Sequence, residues 1–184
     1  RRPTRPTPKP SSAASDVYKR QSESEPIIKA AEIIKESLQR GGKVLTCGNG
    51  GSAADAQHFA AELVVKYMKE REAYPAIALS VNPSTVTAAS NDLGYERVFA
   101  RQIEAFGNPG DVLVAISTSG RSPNVNEAVK VAKSCGMKVI YLTGEREPEA
   151  RHIDILIKVP SKETPRIQEA HITILHIIAE FVES

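Results

Sequence analysis

The chain has 184 residues, 41% hydrophobic and 25% charged, which is ordinary for a globular protein and enough for one α/β domain with its own core. Its net charge of +2 is unevenly spread: residues 1–21 carry six basic residues (Arg1, Arg2, Arg5, Lys9, Lys19, Arg20) and one acid, Asp16, a net +5 that leaves −3 for the remainder, so the basic balance is no argument for a nucleic-acid partner. No apolar run is long enough for a membrane span, no secretory signal opens the chain, and Cys47 and Cys135 form no CxxC pair, so the expectation is a cytoplasmic protein with both thiols in the core.

Residues 1–21, with four prolines in the first ten positions and few large apolar side chains, are read as a basic extension outside the fold, either an interaction tail or an artefact of the sequence. Residues 22–184 are read as a single domain. Ser22–Arg40 predicts a helix, with Pro26 in its first turn, Ile27, Ala30, Ala31, Ile34 and Leu38 at helical spacing, and Gly41-Gly42 as the stop. Lys43–Cys47 predicts the first strand.

The stretch that follows is the centre of the sequence. Gly48-Asn49-Gly50-Gly51 breaks the strand, and Ser52 opens an alanine-rich helix expected to run to about Lys69, with Phe59, Leu63 and Tyr67 at spacing four. Strand, glycine loop and helix N-terminus together suit an anion, because free N–H groups and the positive helix end face one spot. His58 and Glu62 follow at i, i+4 on one helix face. They are either an ordinary side-chain pair or groups for proton transfer or metal binding.

Pro75–Ser80 predicts a second strand, and residues 84–106 two helical pieces broken at Asn91-Asp92-Leu93-Gly94. Asp111–Ile116 predicts a third strand. It leads into Ser117-Thr118-Ser119-Gly120-Arg121-Ser122, whose hydroxyls suit the oxygens of one phosphate. Pro123 starts a helix that Gly136 ends; Met137–Leu142 and Ile153–Val159 are the fourth and fifth strands. Strands alternating with helices indicate a parallel sheet covered on both faces, with its ligand loops at the carboxyl ends of the strands. Neither loop matches GxGxxG or GxxxxGK[ST], so the expected ligand is a small phosphorylated molecule without a nucleotide.

A last helix, from Thr164 or Pro165 to the C-terminus, is apolar almost all round, which buries it in a core or an interface. Gln168, His171 and His176 are its unusual members. Each, if buried, needs a partner, since an unpaired polar group costs about 1–3 kcal/mol. One reading is a core histidine bonded to a carbonyl. The other pairs this face with His58 and Glu62, as a divalent-metal site or an acid–base pair.

Three stretches make the reading more specific: GGKVLTCGNGGSAADAQHFAAEL, NDLGYERVFARQIEAFGNPGDVLVAISTSGRSPNV and RIQEAHITILHII. Over about residues 25–182 the chain resembles the phosphoheptose isomerase (sedoheptulose 7-phosphate isomerase) family of the sugar isomerase (SIS) superfamily. The resemblance implies an SIS-type three-layer sandwich with a five-stranded parallel sheet, and a homotetramer with active sites between subunits. It implies conversion of sedoheptulose 7-phosphate to D-glycero-D-manno-heptose 7-phosphate through an enediol(ate), toward ADP-heptose and lipopolysaccharide. By position, Glu62 matches the base and His176 the acid. His58, Glu62, Gln168 and His176 match the ligands of one zinc ion per subunit. Asn49, Gly50, Gly51, Ser52, Glu62, Asn91, Asp92, Ser117, Thr118, Ser119, Ser122 and Gln168 match substrate contacts.

A replication-initiator-associating adaptor of the same superfamily has a similar GNG-x-SAA-x-AQHFAA stretch without the acid–base pair. A non-enzymatic adaptor is therefore the alternative, and a sugar-phosphate-binding module of another isomerase or regulator a third. The presence of Glu62 and His176 favours the isomerase. Two departures stand out. Residues 1–21 replace the family's extra N-terminal helix, which bears on tetramer assembly, and residues 144–152 lack the expected glycines, so no site residue is carried over there.

Overall fold

The computed structural model describes residues 21–184; the expectation for residues 1–20 lies outside the described residues. The elements in order are α1 (Gln21–Gln39), β1 (Val44–Gly48), α2 (Gly51–Val64), β2 (Ala76–Ala78), α3 (Pro83–Leu93), a 3₁₀ turn (Tyr95–Arg97), α4 (Val98–Phe106), β3 (Val112–Ser117), α5 (Pro123–Ser134), β4 (Lys138–Thr143), β5 (Ile155–Lys158) and α6 (Thr164–Glu183). The five strands form one parallel sheet in the order β2-β1-β3-β4-β5. Among the described residues no helix is long and apolar enough to cross a membrane.

The central strands read as continuous apolar runs because both faces are covered. Val44, Val112, Val114, Ile116, Ile140 and Leu142 turn to one face and pack against α1, α2 and α6. Leu45, Cys47, Leu113, Ala115, Val139 and Tyr141 turn to the other and meet α3, α4 and α5. The chain therefore leaves β1 toward one face and β3, its neighbour, toward the other. That reversal opens a crevice at the carboxyl ends of β1 and β3, where open α/β sheets bind ligands.

Two predicted boundaries move. β2 is three residues long because it is a sheet edge and Pro75 has no N–H to donate; its carbonyl accepts from Val44 N at 3.0 Å. α2 stops at Val64, not near Lys69. The N–H groups of Tyr67, Met68 and Lys69, which a continuing helix would use, donate instead to the Glu183 carboxylate at the far end of α6, at 2.7, 2.9 and 3.0 Å. A charged acceptor outcompetes the helix carbonyls, and the chain turns away.

The last helix is less uniformly covered than its composition implies. Ile174, Leu175 and Ile178 are buried, each contributing roughly 1.5–3 kcal/mol of apolar burial, while Phe181 is 45% exposed. Of the two thiols, Cys47 is buried in the core, its pKa pushed up to about 12 by burial, whereas Cys135 is only partly buried.

Candidate active site

The first cradle forms at the start of α2. Gly50 caps the helix with φ 56°, a left-handed conformation open to glycine, and no side chain caps the helix start. Two N–H groups expected to be bare are used locally: Ser52 N and Ala53 N donate to the carbonyls of Asn49 and Gly50, each at 3.0 Å. The turn is tight enough to close on itself. Gly51 is glycine for a different reason: a Cβ there would collide with the side-chain amide of Gln168 on α6.

The second loop follows β3. Ser117 Oγ and Ser122 Oγ lie 3.0 Å apart, so Ser122, at the N-cap position of α5, spends its hydroxyl across the loop and not on the helix. Ser119 Oγ accepts from Arg121 N at 3.2 Å, and the Thr118 carbonyl accepts from Gly144 N at 3.1 Å. Ser117 is buried, Thr118 and Ser122 are partly exposed, and Ser119 is exposed at the rim.

The two loops are tied together. Asn49 Nδ2 donates to Asn124 Oδ1 at 2.8 Å and Asn124 Nδ2 donates back to Asn49 Oδ1 at 2.9 Å; Tyr95 OH reaches the same Oδ1 at 3.0 Å. Asn124 is buried and also accepts from Val125 N. Sequence reasoning missed both Asn124 and Tyr95. An asparagine two residues into a helix was the available signal for the first; nothing local marks the second. Asn91 and Asp92 end α3 just before Tyr95, exposed and bonded to each other at 2.8 Å.

On the seam between α2 and α6, His58 Nε2 lies 2.8 Å from His176 Nε2 and 3.2 Å from Glu62 Oε1. All three donor atoms fall within 4.8 Å of one another. The side chains are accessible, His58 at 45% and Glu62 at 18% exposed. Burial, reinforced by His58, lowers the His176 pKa, with Glu62 opposing. The shift favours the neutral ring, which can ligate a metal through one nitrogen or donate its remaining N–H to an oxygen.

The other members of the polar face go elsewhere. Within one chain the Gln168 side-chain amide stands over Gly51, two turns along α2 from His58. His171 is the core histidine: fully buried, its Nε2 is 3.2 Å from the Thr143 carbonyl, and its pKa falls to about 4 through burial. Asp55, one turn before His58, was not anticipated. Burial pushes its carboxyl up to about 6, His58 partly offsetting the effect, and its Oδ2 is buried without a hydrogen-bond partner. Its i−3 spacing from His58 was visible in the sequence.

A sheet crevice flanked by a glycine-rich and a hydroxyl-rich loop, with a histidine–glutamate trio further along α2, defines a class that comparison makes specific. The SIS domain family matches residues 12–144. Phosphoheptose isomerase of Roseiflexus sp. is 51% identical over 174 residues, covering 93% of this chain and 88% of that protein; its counterpart in Rhodospirillum rubrum is 49% identical, with 92% of each covered. The solved phosphoheptose isomerase of Neisseria gonorrhoeae superposes with a TM-score of 0.82 at 44% identity, over 92% of this chain and 94% of that one. That of Francisella tularensis does so at 0.87 and 38%, over 93% and 92%. The chain is an SIS-domain protein. Within that class it belongs to the phosphoheptose isomerase family and is an isomerase.

Proposed function

We propose that the chain interconverts sedoheptulose 7-phosphate and D-glycero-D-manno-heptose 7-phosphate, supplying heptose for lipopolysaccharide. The observation that carries this reading is the convergence of Glu62 and His176 on His58, on the helix that starts at the loop after β1. Aldose–ketose isomerisation moves one proton between C1 and C2 next to a carbonyl. Glu62 takes that proton from C1 and returns it to C2; His176 gives a proton to the C2 carbonyl oxygen and takes one back from the C1 hydroxyl, through an enediol(ate). Such a positioned carboxylate contributes roughly 10²–10⁴-fold.

Asn49 to Ser52 and the hydroxyls of Ser117, Thr118, Ser119 and Ser122 hold the phosphate end, with Gln168, Asn91 and Asp92 on the sugar. Gly51 and His58 are about two helical turns, or ~10 Å, apart along α2. A long sugar phosphate can span that distance between cradle and trio. Binding the phosphate away from the reacting carbons converts remote binding energy into orientation.

The donor set fits zinc: two imidazole nitrogens and a carboxylate oxygen, mutually close enough for one small ion. His58, Glu62 and His176 would hold it, and when bound it stabilises charge developing on the sugar oxygens. The fourth donor that the resemblance assigns to Gln168 has to come from outside the trio. Val65 and Met68, each 68% exposed just after Glu62, support a homotetramer whose subunits cover the site. The trio also favours the isomerase over a non-enzymatic adaptor.

The test is turnover of sedoheptulose 7-phosphate by purified protein, with Glu62→Gln and His176→Gln alongside. Activity in the wild type that each substitution removes supports the reading. A folded, zinc-supplied protein without turnover, or full turnover by Glu62→Gln, sinks it.

A further inference from the structure

Glu183 is a carboxylate with an unusual set of partners. It lies two turns beyond His176 on α6, with its side chain 1% exposed. It accepts from the N–H groups of Tyr67, Met68 and Lys69 and from Arg71 Nε at 3.0 Å. Burial alone would raise its pKa, but these donors win and hold it at about 2.

The segment it grips touches two members of the trio. The Tyr67 ring stacks on the His176 ring, centroids 5.1 Å apart and planes 30° from parallel. Arg71 donates through Nη2 to the Glu62 carbonyl at 2.7 Å, and its guanidinium lies over the Tyr74 ring at 4.1 Å. One face of the His176 ring thus meets Tyr67, while its Nε2 faces His58. These contacts constrain the ring about both of its side-chain torsions.

We propose that Tyr67 is a positioning residue for His176, and that Glu183 is the anchor that puts it there. Glu183 holds the segment just beyond α2 by accepting from the N–H groups of Tyr67, Met68 and Lys69, and so delivers the Tyr67 ring onto His176 and Arg71 onto the backbone of Glu62. The inference rests on His176 working in the isomerisation, and it adds residues that touch neither the proposed substrate nor the proposed metal. A purely structural anchor would alter stability alone; a positioning one alters the ring it holds.

The experiment compares Tyr67→Leu, Tyr67→Phe and Glu183→Gln with the wild type, by steady-state kinetics on sedoheptulose 7-phosphate and by NMR of the histidine rings across a pH series. Tyr67→Phe keeps the aromatic ring and retains wild-type kcat. Tyr67→Leu is expected to lower kcat about tenfold with KM changed less than twofold, and to shift the His176 ring resonances and their titration midpoint. Glu183→Gln, which keeps the shape and loses the charge, shows the same kinetic direction and the same His176 shift. Wild-type kcat and an unmoved His176 signal in a folded Tyr67→Leu protein overturn the proposal. A wild-type protein that fails to turn over the substrate defeats the functional reading instead, and the NMR arm still decides whether Tyr67 and Glu183 set the His176 ring.

Discussion

Asn49 and Asn124 exchange two amide hydrogen bonds, 2.8 and 2.9 Å long, between the loop after β1 and the first turn of α5. Helices that leave the sheet on opposite faces are thereby locked together at their N-termini. Neither amide can be removed without stranding the other, and Asn124 is buried. Asn124→Ala is therefore expected to cost about 1–3 kcal/mol of stability and to raise KM for the sugar phosphate while changing kcat less. Urea unfolding and saturation kinetics check both.

The trio gives a prediction for metal. Zinc titrated into chelator-treated protein is expected to bind one ion per chain, and His58→Ala or His176→Ala to weaken it by more than about 100-fold, beyond the loss typical of outer-shell changes. Because both imidazoles must be unprotonated to bind, affinity falls as the solution is acidified; the depressed pKa of His176 delays that fall for its own share. Isothermal titration across pH measures it. Binding unaffected by either substitution places the ion elsewhere.

At Gly51 the backbone comes so close to Gln168 that no Cβ fits. Gly51→Ala is expected to push the flexible end of the Gln168 side chain aside at little cost in stability. If Gln168 serves the sugar, KM rises in this variant and in Gln168→Ala alike, which parallel kinetics on the two proteins show.

His171 provides a pH dependence unrelated to catalysis. Its folded pKa, about 4, lies below the ordinary 6.5, so the unfolded chain binds the extra proton between those values. Stability therefore falls as pH drops from about 6.5 to 4, by an amount on the order of 3 kcal/mol from this group. His171→Gln, which keeps a donor for the Thr143 carbonyl, is expected to flatten that slope in denaturant titrations at several pH values.

Much of this was legible locally. Apolar runs of five or six residues bounded by glycines marked β1, β3 and β4, because a strand buried on both faces needs no alternation. The break at Gly94 and the start of α5 at Pro123 also stood in the sequence. Tyr67 did not: its spacing from Phe59 and Leu63 reads as one more turn of helix, and only Glu183, more than a hundred residues later, diverts the backbone. Tyr95 reaches Asn49 for an equally non-local reason.

The sequence by itself determined the parallel α/β sheet, the two loops at the carboxyl ends of its strands, and the candidates Glu62 and His176, because those follow from periodicity, glycine placement and helical spacing. It placed Gln168 and His176 on roughly one face of the last helix and left open what that face, and His171, would meet. Tertiary structure separated them. Where α6 lies against α2 and the sheet, Gln168 meets Gly51, His171 sinks toward the Thr143 carbonyl, and His176 reaches His58. Helical spacing sets which face a residue is on; only the neighbouring elements decide what that face meets.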